Sequence, residues 1–184
     1  VAQKLCDAKV NGVVGHLNSG TTIPASKVYN DCGLPMVTGA ATNPALTKPG
    51  YKTTFRIIAN DNALGAALAD EAKAMGLKRV AVIDDRTAYG QGLAEVFTDV
   101  AKKNGLEVVS QQFTNDKATD FMAILTEIKA KKPDSIFYGG MDAQAAPMLR
   151  QIEQLGMGNV KFFGGDGICT AEIYKLSGES KAVN

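Results

Sequence analysis

The residues best able to hold a small molecule sit in five loops, each directly after a short apolar run. After Val10 to Val14, a run that reads as a buried strand, come Asn18, Ser19, Gly20, Thr21 and Thr22, and after Met36-Val37 comes Thr38-Gly39-Ala40-Ala41-Thr42-Asn43-Pro44. Val80-Ala81-Val82-Ile83 leads into Asp84-Asp85-Arg86-Thr87-Ala88-Tyr89-Gly90, Ile136-Phe137-Tyr138 into Gly139-Gly140-Met141-Asp142, and Phe162-Phe163 into Gly164-Gly165-Asp166-Gly167. The first loop opens a helix. The unpaired N–H groups of that first turn, the positive end of the helix dipole and the Ser/Thr hydroxyls make a cradle for a carboxylate or a phosphate. The first two loops offer neutral donors, whereas the last three add an aromatic ring and carboxylates. That division suits a zwitterion, with the carboxylate on the hydroxyl loops and the ammonium paired with Asp166 through a charge-assisted bond. Phosphate fits poorly, because no Lys or Arg stands between Asn18 and Thr22 and Asp166 would repel it. Any one of these loops could be a plain turn rich in glycine and hydroxyl residues, so the set of five carries the reading.

Catalysis is poorly supplied by comparison. His16, the only histidine, stands where a strand ends and reads as a hydrogen-bonded structural residue, and no Gly-x-Ser-x-Gly elbow provides a nucleophile. Asp84 and Asp85 are adjacent, so their side chains diverge, and they read as a solvated strand end rather than a metal or acid/base pair. No P-loop and no Gly-x-Gly-x-x-Gly after a strand is present, so no nucleotide cofactor is expected. Three cysteines are too few for a disulfide framework, and their spacing does not suggest zinc. Cys6 and Cys32 would meet if the helices carrying them pack side by side, which leaves open a disulfide or two buried thiols. Cys169 is then the odd one, to be partnered beyond this piece of chain. No catalytic residue, cofactor or metal ligand is expected.

The elements that must position these loops repeat a unit of helix, glycine stop and strand. An amphipathic stretch ends in glycine followed by an apolar residue at Gly33-Leu34, Gly76-Leu77, Gly105-Leu106 and Gly156-Met157. Leu93, Val96, Phe97, Val100 and Ala101 keep the helical period, as do Phe121, Ile124, Leu125 and Ile128. The intervening strands are short and almost wholly apolar, as in a parallel sheet covered by helices on both faces. An α/β architecture with right-handed crossovers follows. Thr53 to Ile58 reads as a further strand, and Asp61 as the N-cap of the helix after it. A passage between two lobes is placed near Ile58, giving residues 1–58 and 59–184 as parts of two ligand-binding lobes.

The 184 residues, 45% hydrophobic and 21% charged, can build a sizeable core. A formal charge of +1 gives no field that would draw nucleic acid or an anionic membrane. Lys129-Ala130-Lys131-Lys132 suits a solvated helix C-terminus. No apolar stretch approaches the roughly 18 residues of a membrane span, and no signal peptide is visible. The chain starts without Met in what reads as a helix under way, and it stops at Ala182-Val183-Asn184 where another strand would begin. It reads as a piece of a longer protein.

Six ordered motifs then resemble one family: Gly15-His16-Leu17-Asn18-Ser19 with Thr22-Ile23-Pro24-Ala25-Ser26, Ala40-Ala41-Thr42-Asn43-Pro44, Phe55-Arg56, Tyr89-Gly90-Gln91-Gly92, Tyr138-Gly139-Gly140 and Gly164-Gly165-Asp166-Gly167. They are similar to the leucine/isoleucine/valine-type periplasmic binding proteins, the receptors of branched-chain amino-acid ABC importers. The resemblance runs over essentially the whole chain. It implies a two-lobed type I periplasmic-binding-protein fold, incomplete here, with one hinge crossing of three and about half the mature length. It implies that Ser19, Ala40, Ala41 and Thr42 take the ligand's carboxylate and ammonium through hydroxyl and backbone groups, that Tyr89 approaches from the second lobe, and that Asp166 pairs with the ammonium. Met141, with Asp142 beside it, stands where leucine-binding members have a tyrosine, a departure that bears on which amino acid is bound. The implied partners are an amino acid and the permease subunits of an importer, for a periplasmic, non-catalytic protein that is monomeric at full length. The same fold also serves as a sensor of amides or other small polar ligands. An enzyme using Asp84, Asp85 or His16 is the remote third reading.

Overall fold

A computed structural model of the chain describes residues 1–178, and the strand expected at Ala182-Val183-Asn184 lies outside the described residues. The apolar runs assemble into two all-parallel sheets. The first has the order β1 (Val13–Val14), β2 (Met36–Thr38), β3 (Thr54–Arg56), with α1 (Ala2–Asp7) and α2 (Ser19–Cys32) beside it. The second comprises β4 (Arg79–Asp84), β5 (Glu107–Phe113), β6 (Ser135–Gly139) and β7 (Lys161–Gly164) in the order β5-β4-β6-β7. Its helices are α3 (Asp61–Ala74), α4 (Ala88–Lys103), α5 (Met122–Ala130), α6 (Asp142–Gln154) and α7 (Glu172–Leu176). By contacts the chain divides into two compact units, Val1–Ala63 and from Leu64 onward, a division within the first turn of α3.

Each glycine stop closes its helix in the same way. Gly33, Gly76, Gly105 and Gly156 all have φ between +71° and +87°, the left-handed region where a Cβ is penalised. Each glycine N–H donates three residues back, and the next residue's N–H donates five back: Leu34 to Tyr29, Leu77 to Ala72, Leu106 to Ala101 and Met157 to Ile152. The two residues of each of these pairs also share a hydrophobic cluster, so one motif both satisfies the last carbonyls and turns the chain into the core.

Alternation along β4 and β6 gives the second sheet two covered faces. Val80, Val82 and Phe137 pack with Leu93, Phe97 and Ala101 of α4 and Ala69 and Ala72 of α3. Ala81, Ile83, Ile136 and Tyr138 pack with Leu125 and Ile128 of α5 and Met148 and Ile152 of α6. The rings of Phe97 and Phe137 stack at 3.9 Å, with Phe163 edge-on to both.

Three sequence expectations are corrected. The run Val10 to Val14 is not a buried strand: only Val13 and Val14 pair, at an edge, and Val14 is 96% exposed on the face away from α2. Asp61 is not the N-cap of α3 but its first residue, and the preceding Asn60 accepts from the Ala63 N–H through both its carbonyl and its side chain. Asp84 and Asp85 are not a solvated pair, since Asp85 is 2% exposed and both turn back onto the loop that follows them. The cysteine question resolves as a Cys6–Cys32 disulfide joining α1 to the end of α2, with Cys169 free and exposed.

Candidate functional site

In the first unit the loops after β1 and β2 are sewn together by short hydroxyl side chains. The Thr38 hydroxyl donates to the His16 carbonyl at 2.8 Å and accepts from the N–H groups of Ala40 and Ala41 at 3.2 and 3.0 Å. Ser19, first residue of α2 and buried, accepts from the Asn43 N–H at 3.2 Å, which leaves its own hydroxyl proton to be given elsewhere. Arg56 of β3 donates to the carbonyls of Ala41 and Asn43, fixing the same loop from its far side. Thr42 is 1% exposed, and its hydroxyl is a buried polar group without a hydrogen-bond partner. Ser19, Ala40, Ala41 and Thr42 thus share one small assembly. The two alanines have committed their N–H groups inside it and Arg56 takes the Ala41 carbonyl, so the Ala40 carbonyl is the backbone group they can offer. His16 bonds the buried Tyr29 hydroxyl at 2.9 Å and stacks on that ring.

In the second unit, β5 and β6 lie on opposite sides of β4, so the strand order reverses there and the carboxyl ends of β4 and β6 form a switch-point crevice. Tyr89, in the first turn of α4, donates its hydroxyl to Asp166 at 2.9 Å and accepts from the Gly167 N–H at 2.9 Å. Met141 packs into the same cluster as Tyr89. Glycine is required for this approach: a Cβ at Gly167 would stand 2.9 Å from the Tyr89 ring and 3.0 Å from the Met141 sulfur, and one at Gly165 would meet the Tyr89 hydroxyl. Asp142 is drawn off to the Thr170 hydroxyl at 2.6 Å. Tyr89, Met141 and Asp166 are therefore together, with Asp142 turned to a different partner.

The sequence does not mark Thr38, Asn43 and Thr87 as site residues, and it offers Asp85 only to the enzyme reading. Their signal is the short polar side chain two or three residues before the backbone N–H it accepts from, as in Asp85-x-Thr87 and Thr38-x-x-Ala41. Among the described residues no group of three or more His, Cys, Asp or Glu is placed to hold a metal ion, and no helix is long and apolar enough to cross a membrane.

Two all-parallel α/β units with their polar loops at the carboxyl ends of the strands define a fold class, and likeness to known proteins gives the family. The chain belongs to the periplasmic binding protein family, whose sequence profile matches residues 1–179. It is 35% identical over 180 residues to an amino acid binding protein of Pseudomonas aeruginosa, covering 97% of this chain and 48% of that one. To the Leu/Ile/Val/Thr-binding protein of Salmonella typhimurium it is 34% identical, covering 98% and 49%. The crystal structure of a leucine binding protein from Thermotoga maritima superposes with a TM-score of 0.93 at 32% identity, over 97% of this chain and 51% of that one. The chain spans about half the length of the curated relatives it matches. The likeness to leucine/isoleucine/valine-type binding proteins and the parallel α/β fold both hold.

Proposed function

We propose that the protein containing this chain captures an α-amino acid of the branched-chain type between two lobes, of which residues 1–58 and 59–184 are parts. In this reading it delivers the ligand to the permease of an ABC importer from the periplasm, as a non-catalytic monomer. The observation that carries the reading is the Tyr89–Asp166 pair, a carboxylate held ready at a switch point by a hydroxyl donor. An ammonium on its open oxygen completes a charge-assisted bond. Ser19 and Thr42 supply neutral hydroxyls for the opposite charge, and a carboxylate accepting from them needs no basic residue. The names of the relatives, amino acid and Leu/Ile/Val/Thr binding, support the same ligand class.

Calorimetry of the full-length protein against the standard amino acids tests this. Binding of a branched-chain amino acid is expected, and no heat with any amino acid refutes the reading. Asp166→Asn is expected to cost about 2 to 5 kcal/mol of binding, the range for removing one member of a desolvated charge pair. Unchanged affinity would remove Asp166 from the site.

A further inference from the structure

We propose that Asp85 is the positioning residue for the Tyr89–Asp166 pair, acting through Thr87 and the first turn of α4. The Asp85 Oδ1 accepts from both the N–H and the hydroxyl of Thr87, at 2.9 and 2.6 Å. Because that hydroxyl proton is committed to Asp85, the Thr87 oxygen presents its lone pairs to the Gly90 N–H, which it accepts at 3.0 Å as the N-cap of α4. Tyr89 lies inside this capped turn. Its hydroxyl reaches across to Asp166 and Gly167, which follow β7 more than seventy residues later.

A second, independent contact locks the same turn. Asp85 donates its N–H to the Gly139 carbonyl at the end of β6, at 3.0 Å. A Cβ on Gly90 would collide with both the Asp85 carboxylate and the Gly139 carbonyl, and a Cβ on Gly139 would collide with the Gly90 carbonyl. Asp85, the start of α4 and the end of β6 therefore meet with no side chain between them. The carboxylate is 2% exposed, and its Oδ2 has no hydrogen-bond partner, so it sits here at a desolvation cost that a side chain serving only as a local turn could avoid by facing water. Asp85 touches no ligand in this scheme. It fixes the direction from which the Tyr89 hydroxyl presents Asp166.

The test uses the full-length protein and has two arms, only the second of which rests on the amino-acid reading. In the first, amide hydrogen exchange is followed by NMR in wild type, Asp85→Asn, Asp85→Leu and Thr87→Val. Asp85→Leu and Thr87→Val are expected to speed exchange about tenfold at Gly90 and also at the distant Gly167, with the strand amides of β4 and β6 unchanged, while Asp85→Asn, which keeps the Oδ1 acceptor, retains the wild-type rates. Faster exchange at Gly90 with Gly167 unchanged would reduce Asp85 to a local cap and overturn the proposal, as would an Asp85→Asn no better than Asp85→Leu. Should Asp85→Leu fail to fold, Thr87→Val decides alone, since it removes the relay hydroxyl and keeps the shape. In the second arm, leucine affinity is measured by calorimetry. Thr87→Val is expected to weaken it about tenfold in wild type and to have no further effect when Tyr89 is already Phe; an equal loss in both backgrounds overturns the coupling. A wild-type protein that binds no amino acid refutes the functional reading, and the exchange arm still decides the role of Asp85.

Discussion

Asp85 shows how much a single buried carboxylate can do and what it costs. Burial pushes its carboxyl above the ordinary value of 3.8, the Thr87 donors oppose that rise, and Asp84 and Asp116 add to it. The folded state then holds its proton to higher pH than the unfolded state does, so the contribution of Asp85 to stability is greatest below the ordinary carboxyl value. It is lost as pH rises through the folded value. Asp85→Asn keeps the Oδ1 acceptor and does not titrate, so its stability relative to wild type is expected to rise between about pH 3 and neutral pH, as the wild type loses the contribution of its protonated carboxyl. Urea unfolding at the two pH values measures this, and a difference between the two proteins that is the same at both would show that Asp85 titrates alike in the folded and unfolded states. The residues of direct chemical promise, Ser19, Thr42, Tyr89 and Asp166, were legible because each follows an apolar run at the carboxyl end of a strand. Asp85 and Thr38 were not, because a short polar side chain that accepts from its neighbours' N–H groups looks in sequence like any solvated turn.

Helix ends were legible and helix starts less so, for a physical reason. A stop needs a left-handed residue followed by an apolar anchor, which a glycine pair such as Gly105-Leu106 announces in the sequence and Lys9-Val10, closing α1 with the same bonds, does not, whereas Asn60-Asp61-Asn62 offers three adjacent residues that can each cap a helix. The first helix shows the limit of local signals. α1 has six residues and buries none of them, far below the length at which a helix is stable in water. It is held by partial packing of Ala2 and Leu5 against the α2 cluster and by the Cys6–Cys32 bond, which closes a loop across 26 positions onto the end of α2. On chain-entropy grounds, that loop stabilises the first unit by about 3.5 kcal/mol. Cys6→Ser with Cys32→Ser is expected to lose roughly that amount in denaturant unfolding and to release α1 to fast amide exchange, leaving the exchange of α4 and α6 as it was. Loss of protection in α4 as well would mean that the second unit depends on this bond.

At the scale of the molecule, the two sheets differ in how they are covered. The composition predicted helices on both faces of a parallel sheet, and the second sheet has them, with α3 and α4 on one side and α5 and α6 on the other. Among the described residues, the first sheet does not. Val13 and Met36 face Tyr29 and Ala25 of α2, while Val14, Val37 and Phe55, in register across the three strands, share the opposite face. Val14 there is 96% and Phe55 52% exposed, and Ile57 continues the patch. Period-two alternation could not reveal this, because strands of two or three residues are too short to show which face will be covered. The described residues therefore present an apolar surface of the kind that drives association. Val14→Lys with Phe55→Lys is expected to raise the onset temperature of aggregation in light scattering and to lower the binding of a hydrophobic dye, with the far-UV circular dichroism unchanged. In a protein of the relatives' full length the expected sign reverses: polypeptide covering this face would bury both lysines unpaired, and the same substitutions would lower stability by several kcal/mol. Equal tolerance in the short and the long protein would show that the face stays open in both.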